Sequence, residues 1–492
     1  MTDNQSSYRQ ILKATSIFGG VQIFNIFIQL LKSKVVAILL GPAGIGIMGL
    51  LTSTIGMIAS FTNFGVGTSG VKFISAAHAA GKPNQMAIAI KVLRRIVWIT
   101  GALGSIIMFI CANWLSELTF GNRDYTLAFS ILSITLLVNQ ISIGQNVLLQ
   151  STRELKKLAK SSMIGSLVGL LSSLPLYYFL GVKGIVPSIL ITSFTTLLLS
   201  WYFARQIKIK GVFVSRLRTI RDGRGVLKTG LALSVSAIIT MVGSYYLRIY
   251  ISNNGGVREV GLYNAGFTII NTYVGLLFSA MITDYFPRLS MVANNDSESR
   301  TTINNQAEIT ILILSPIILI FLVYINWIIV LLYTDQFILV SGMIWYAALG
   351  MFFKAASWTI AFVLVAKSAN KVYFWSELVT NCYLLIFSIL GYQYYGITGL
   401  GIAFLITYFL YLIQVYVIAR LLCNFSFTNR FIKIFSIQIL LAGSCFLVVK
   451  FMDSPYQYIV GSALICISGY YSVFELNKLL SLWSLIRSKM NK

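Results

Sequence analysis

Charge is scarce in this chain of 492 residues: 11% are Asp, Glu, Lys or Arg, where a soluble globular protein carries about 25%. The length alone would accommodate roughly three or four water-soluble domains, and the charge deficit excludes them. Acid is scarcer still, with Asp+Glu 14 against Lys+Arg 38. Histidine occurs once, at His78, which cannot form a metal site alone. The five cysteines (Cys111, Cys382, Cys423, Cys445 and Cys466) lie in or beside apolar runs without paired spacing. That pattern excludes a disulfide framework and a cysteine-based zinc site.

What the chain does have is apolar residues, at 57%, with a mean hydropathy of +0.81. Apolar runs near the ~20 residues that cross a bilayer as a helix recur from end to end. Strands of a membrane barrel would be half as long and would alternate polar with apolar. The chain therefore reads as an all-α polytopic membrane protein with about fourteen transmembrane helices, from 11–40 to 456–475. The first run is too long for a cleaved signal peptide and lacks a small-residue cleavage site.

With the N-terminus placed in the cytoplasm, 30 of the 38 basic residues fall in cytoplasmic segments, four in outer loops and four inside apolar runs. This asymmetry is a positive-inside signal. It puts both termini in the cytoplasm and favours contact with anionic membrane lipids. No basic helix alternates with aromatics outside the membrane, so nucleic acid is not expected as a partner. The longest outer loop, around Asn113–Tyr125, is about a dozen residues, too short for the external catalytic domain of a membrane glycosyltransferase or polymerase. No enzymatic activity is expected.

The halves resemble each other. Ile45-Gly46-Ile47-Met48 corresponds to Val260-Gly261-Leu262-Tyr263, and Gly181-Val182-Lys183-Gly184-Ile185 to Gly396-Ile397-Thr398-Gly399-Leu400, both at an offset of 215. A weaker pair, Leu118-Thr119-Phe120 and Leu331-Leu332-Tyr333, is offset by 213. Two matches at one offset and at the same ordinal connections identify a parallel repeat of six spans. The expected organisation is a six-helix lobe over 1–204, a basic cytoplasmic linker over 205–227, a second six-helix lobe over 228–420, and two further helices with a basic tail over 421–492. Such repeats form two pseudo-symmetric bundles around a central cavity and favour a transporter working by alternating access.

On these motifs the chain resembles a known family. Leu39-Leu40-Gly41-Pro42-Ala43-Gly44-Ile45-Gly46, Val260-Gly261-Leu262-Tyr263-Asn264-Ala265-Gly266 and Tyr285-Phe286-Pro287-Arg288-Leu289-Ser290 look like the corresponding segments of Wzx-type O-antigen flippases. These belong to the multidrug/oligosaccharidyl-lipid/polysaccharide (MOP) exporter superfamily. The resemblance covers about 10–420 and leaves the last two helices without a counterpart in many relatives. It implies a flippase of the bacterial inner membrane that moves a polyprenyl-diphosphate-linked glycan to the outer leaflet, alongside other polysaccharide-assembly proteins. Export of another lipid-linked anion, such as a peptidoglycan precursor, is the alternative in the same fold. An integral-membrane glycosyltransferase or polymerase is the alternative in another class.

A diphosphate calls for Lys or Arg, and sugars call for amides, hydroxyls and aromatic faces. Four cations lie inside apolar runs: Lys32, Lys34, Arg248 and Lys354. Each costs about 2.5–3.5 kcal/mol at a helix centre on insertion scales. Gln22, Asn25, Gln29 and Lys32 recur at helical spacing as one stripe. Adding 215 carries Asn25 to Thr240 and Gln29 to Ser244, while Lys32 and Lys34 bracket the image of Arg248. Either these stripes face a shared aqueous cavity and bind substrate, or they make ordinary interhelical bonds while the cations snorkel outward. Lys32 is nine residues before Gly41, about 13 Å of helix, which makes full snorkelling difficult. Lys354 lies about thirteen residues from either end of its run, with Trp358 one turn away. Its alternatives are a cavity role and a structural bond to neighbouring carbonyls. Trp358, Tyr245 and Tyr246 are candidate sugar-stacking faces.

No carboxylate sits in mid-membrane; Asp284, Glu308 and Glu377 fall near cytoplasmic span ends. An acid-poor, cation-lined interior points to an anionic substrate. No cofactor is expected. Coupling to a proton or sodium gradient stays open, because missing acids weaken a proton relay while a site built from Asn, Thr and carbonyl oxygens leaves no signature.

Overall fold

The computed structural model describes residues 3–79, 83–207, 209 and 212–480. The basic tail from 481, Lys208 and Lys210 of the linker, and the side chain of Asp284 lie outside the described residues. Among the described residues there are fourteen α-helices and no strand: α1 (Asp3–Thr62), α2 (Val66–Ala79), α3 (Pro83–Ile110), α4 (Ala112–Phe120), α5 (Thr126–Ser151), α6 (Leu155–Leu180), α7 (Ile185–Ala204), α8 (Arg216–Thr268), α9 (Leu276–Met291), α10 (Asp296–Leu332), α11 (Ser341–Ala366), α12 (Asn370–Cys423), α13 (Asn429–Phe451) and α14 (Tyr456–Leu480). A π-helical turn, Ile269–Val274, joins α8 to α9.

Ten helical stretches among the described residues are long and apolar enough to cross a membrane. Four of them, of 43, 50, 39 and 54 residues, are too long for one crossing of a ~30 Å hydrocarbon layer at 1.5 Å per residue. Each is broken near its middle by a glycine with positive φ: Gly41, Gly181, Gly256 and Gly396. Counting both limbs of each gives the fourteen passes expected from the sequence.

These breaks carry the repeat into the backbone. Gly41 (φ 63, ψ −168) and Gly256 (φ 79, ψ 173) are 215 residues apart. So are Gly181 (φ 54, ψ −133) and Gly396 (φ 57, ψ −141). Positive φ with extended ψ is open essentially only to glycine, so one sequence device makes the same reversal at equivalent places in both halves.

By packing, the chain forms two compact units, Met1–Gly261 and Leu262–Lys492. The lobe boundary read from the repeat lies at 204–228, whereas this packing division falls inside α8. In the first unit α3, α5, α6 and α7 approach closely through small residues, with Gly144 against Val97 and Gly169 against Thr192. Small residues let helix backbones come together where no hydrophobic force separates helix from lipid. α8 joins this unit: the Tyr245 hydroxyl lies 2.8 Å from Thr119 Oγ1 of α4 and accepts from Thr54 of α1 at 3.3 Å. Tyr245 is thereby a buried strut and not a free stacking face.

In the second unit α11 lies on α12, with Gly350 against Leu405 and Gly401 against the Met343 carbonyl. The last two helices dock on α10. Arg430 of α13 pairs with Glu308 of α10 at 3.7 Å and with Glu475 of α14 at 3.0 Å. Thr428 donates to Glu308 at 3.1 Å. Within the apolar layer, Gln438 of α13 bonds Ser472 and Ser468 of α14, and Tyr324 of α10 shares a 2.8 Å bond with Ser462.

Candidate functional site

In the first unit the polar stripe of α1 divides by environment. Asn25 is half-buried and spends its amide on α6: Nδ2 donates to Ser162 Oγ and Oδ1 accepts from Ser166, both at 2.9 Å. It is engaged in helix packing. Gln22 and Gln29 are exposed, and Lys32 and Lys34 are half-buried. Lys34 has a partner. Lys32 has no hydrogen-bond or ion-pair partner among the described residues. One turn beyond Lys32, Val35, Ile38 and Leu39 face Leu174, Pro175 and Tyr178 of α6 across an apolar cleft of about 440 Å³.

On α8, Arg248 turns back one turn along its own helix. Its Nη1 donates to the Ser244 carbonyl at 3.0 Å and to the Ser244 hydroxyl. Thr240 is exposed, and its hydroxyl donates to Ser236 O at 3.1 Å. Ser244 thus supports the guanidinium, Thr240 is tied to the turn before it, and Tyr246 remains exposed.

The second unit holds the most developed cation environment. Lys354, half-buried on α11, donates from Nζ to Asn271 Oδ1 at 2.7 Å. Two aromatic faces of α12 lie beside the ammonium, with the ring centres of Tyr408 and Phe404 at 4.9 and 5.4 Å. Asn271 sits in the π-turn Ile269–Val274, a wide turn that often marks functional positions in helices. All these partners are neutral. An ammonium offers three donors, and among the described residues one is met. One turn on, Trp358 packs into a cluster with Phe278, Tyr285 and Phe362 at ring separations of 5.3, 6.0 and 4.9 Å.

Sequence reasoning missed Asn271, Phe404 and Tyr408. The available signal was an amide inside an apolar run and aromatics at helical spacing, neither of which says what it faces. Glu377, seven residues into α12, accepts from Tyr411 at 3.0 Å, and Gln414 bridges to Ser376 beside it at 2.8 Å. The carboxylate is thus tied to the second limb of α12 and belongs to a polar cluster within the helix pair. No group of three or more His, Cys, Asp or Glu side chains suited to a metal occurs among the described residues.

The chain is 20% identical over 414 residues to the lipid III flippase of Escherichia coli K12, covering 82% of this chain and 96% of that protein. It is 23% identical over 374 residues to a Shigella flexneri protein named as an O-antigen transporter, covering 74% and 87%. Among solved structures it shares the fold of an inward-facing multidrug MATE transporter of the MOP superfamily, with a TM-score of 0.68 at 16% identity, over 81% of this chain and 94% of that one. It also shares the fold of the lipid II flippase MurJ in an inward closed conformation, with a TM-score of 0.66 at 13% identity, over 95% and 99%. A family model described as polysaccharide biosynthesis protein matches residues 35–342. Fold, relatives and family model agree with the resemblance carried by the glycine motifs, and the chain belongs to the polysaccharide biosynthesis protein family.

Proposed function

We propose that this protein is a flippase that moves a polyprenyl-diphosphate-linked oligosaccharide, of the O-antigen repeat-unit class, from the cytoplasmic to the outer leaflet of the bacterial inner membrane. The observation that carries the reading is Lys354, a cation deep in the apolar span of α11 with an amide and two aromatic rings for company. Desolvating a cation is costly without a counter-charge, and neutral partners leave this one able to receive a phosphate. Lys32, Lys34 and Arg248, with Ser244 supporting the last, supply cations in the other unit. Gln22, Gln29, Thr240 and Trp358 supply the amide, hydroxyl and aromatic groups that sugars bind. The apolar cleft between α1 and α6, one turn from Lys32, suits the isoprenoid chain. Alternating access moves the head group while the tail stays in lipid. The relatives named for lipid III and O-antigen support a substrate of this class.

The test is reconstitution of purified protein in sealed vesicles carrying a fluorescent polyprenyl-diphosphate glycan in one leaflet, with and without imposed proton or sodium gradients. Transfer should be protein-dependent and should fall at least about tenfold when Lys354 is neutralised, the size of a lost charge-assisted contact. A parallel arm with a peptidoglycan precursor separates the two substrate classes. No transfer of the glycan-lipid under any gradient overturns the reading.

A further inference from the structure

The segment that follows α7 has an apolar and a basic side exposed together. α7 runs 20 residues from the turn at Gly181–Gly184 to Ala204, about 30 Å, which is one hydrocarbon thickness. At its end Arg205 stacks on Trp201 and Tyr202, at 4.7 and 5.4 Å from the ring centres. Aromatic rings with a basic partner at a helix end mark the headgroup layer.

Ile207 and Ile209 pack against a core that includes Leu93, Ile96, Ala204, Val214 and Val226. Lys91 of α3 donates to the Val212 carbonyl at 2.8 Å, and Arg95 donates to Thr219 at 2.5 Å. These bonds fix the start of α8 level with the basic end of α3. Thr219, Gly223 and Val226 face inward, and Gly223 fits against Ile96.

The opposite side is exposed. Phe213, Leu217 and Ile220 are 89%, 81% and 66% accessible. Arg216, Arg218, Arg221 and Arg224 are exposed among them. Asp222 engages Arg218 at 3.5 Å and Arg221 at 4.0 Å, whereas Arg216 and Arg224 have no partner among the described residues.

We infer that residues 205–207 and 212–224 form a lipid-binding surface that takes the anionic headgroups of the cytoplasmic leaflet. Phe213, Leu217 and Ile220 enter the acyl boundary, and Arg216 and Arg224 hold phosphates. Charge complementarity and depth select this occupant. Apolar side chains at headgroup level meet acyl chains, and each basic residue near an anionic surface strengthens binding about fivefold. Leu217, Ile220 and Arg224 recur at helical spacing on one exposed stripe, with Arg216 at its edge, so basic and apolar groups are presented together at headgroup level. The inference uses the cytoplasmic placement of the linker and does not depend on which substrate is moved.

Purified full-length protein is stripped of lipid in detergent and titrated with phosphatidylglycerol or phosphatidylcholine, and bound lipids are counted by native mass spectrometry. The wild type should prefer phosphatidylglycerol by about tenfold or more, and R216Q/R224Q should fall to near parity. In a second arm, an environment-sensitive fluorophore is attached through L217C, in a background without the five native cysteines, and the protein is placed in nanodiscs. Brominated acyl chains should quench it. Equal binding of both lipids by the wild type, or a preference unchanged in R216Q/R224Q, overturns the inference. A probe at position 217 insensitive to brominated lipid also overturns it, and marks the face as one for a soluble protein partner.

Discussion

Gly46 and Gly261 meet where α1 crosses α8, and each is the other's image under the 215-residue repeat. A Cβ on Gly46 would fall on the Val257 carbonyl oxygen, and one on Gly261 would fall on the Pro42 carbonyl oxygen. Pro42 and Val257 are themselves 215 apart, so exchanging the repeats maps this contact onto itself. The obstacle in both cases is backbone, which cannot rotate away as a side chain can. Gly46→Ala and Gly261→Ala should each destabilise the protein by about 1–3 kcal/mol, as overpacking does, and by similar amounts. Gly243, with nothing within 4 Å of its would-be Cβ, is the control. Gly243→Ala should be neutral or stabilising by up to about 1 kcal/mol through helix propensity. Thermal unfolding of the purified variants measures all three, and tolerance at one of the crossing glycines alone would end the claim of symmetry.

Arg430 carries the junction between the last two helices and α10. The Glu308 side chain is 4% accessible, so removing Arg430 leaves its carboxylate with Thr428 as its remaining described partner. Arg430 is 40% accessible, and solvent screening lowers the loss below that of a fully buried pair. Arg430→Gln should cost about 1–3 kcal/mol. Adding Glu308→Gln should recover part of it, because no uncompensated charge then remains. Protease sensitivity of the 424–428 connection, read against the melting temperature, distinguishes loosened docking from global unfolding.

The parts of this molecule visible in its sequence are those written in local pattern. Apolar run lengths gave the passes, and the glycines at a shared offset gave the repeat, because a reversal that combines positive φ with extended ψ needs glycine. Pairings across the fold were not legible. Asn25 reads as one member of a polar stripe, yet Ser162 and Ser166 claim both ends of its amide. Tyr245 reads as a sugar platform, yet Thr54 and Thr119 bury it. Periodicity says which residues share a helix face. It does not say which neighbour that face meets.

The distribution of charge sets an expected orientation for the chain, and that expectation is open to a direct check. Arg123, in the short α4–α5 connection, and Arg224, at the start of α8, are expected on opposite sides of the membrane. With R123C and R224C in a background lacking the native cysteines, a membrane-impermeant thiol reagent added to cells with a permeabilised outer membrane should label position 123. Position 224 should react only after the inner membrane is opened. The reverse pattern would place the basic segments outside and contradict the positive-inside reading.

Lys354 and Asn271 allow the cation to be silenced without being removed. Asn271→Asp places a carboxylate where the amide oxygen now accepts at 2.7 Å, and an ion pair in a low-dielectric setting holds its partner far more strongly than an amide does. The side chain is nearly the same size, so α11 and the π-turn should keep their packing, and the melting temperature should be retained or raised. Transport should nevertheless fall at least about tenfold, because the ammonium is no longer available to a phosphate. Lys354→Met removes the charge at similar volume and strands the Asn271 amide oxygen, at a cost of about 1–3 kcal/mol. It should lose transport equally while lowering the melting temperature. The two variants thus share a transport defect and differ in stability. If Asn271→Asp moves the glycan-lipid at the wild-type rate in vesicles, Lys354 is a packing residue and the phosphate role assigned to it is wrong.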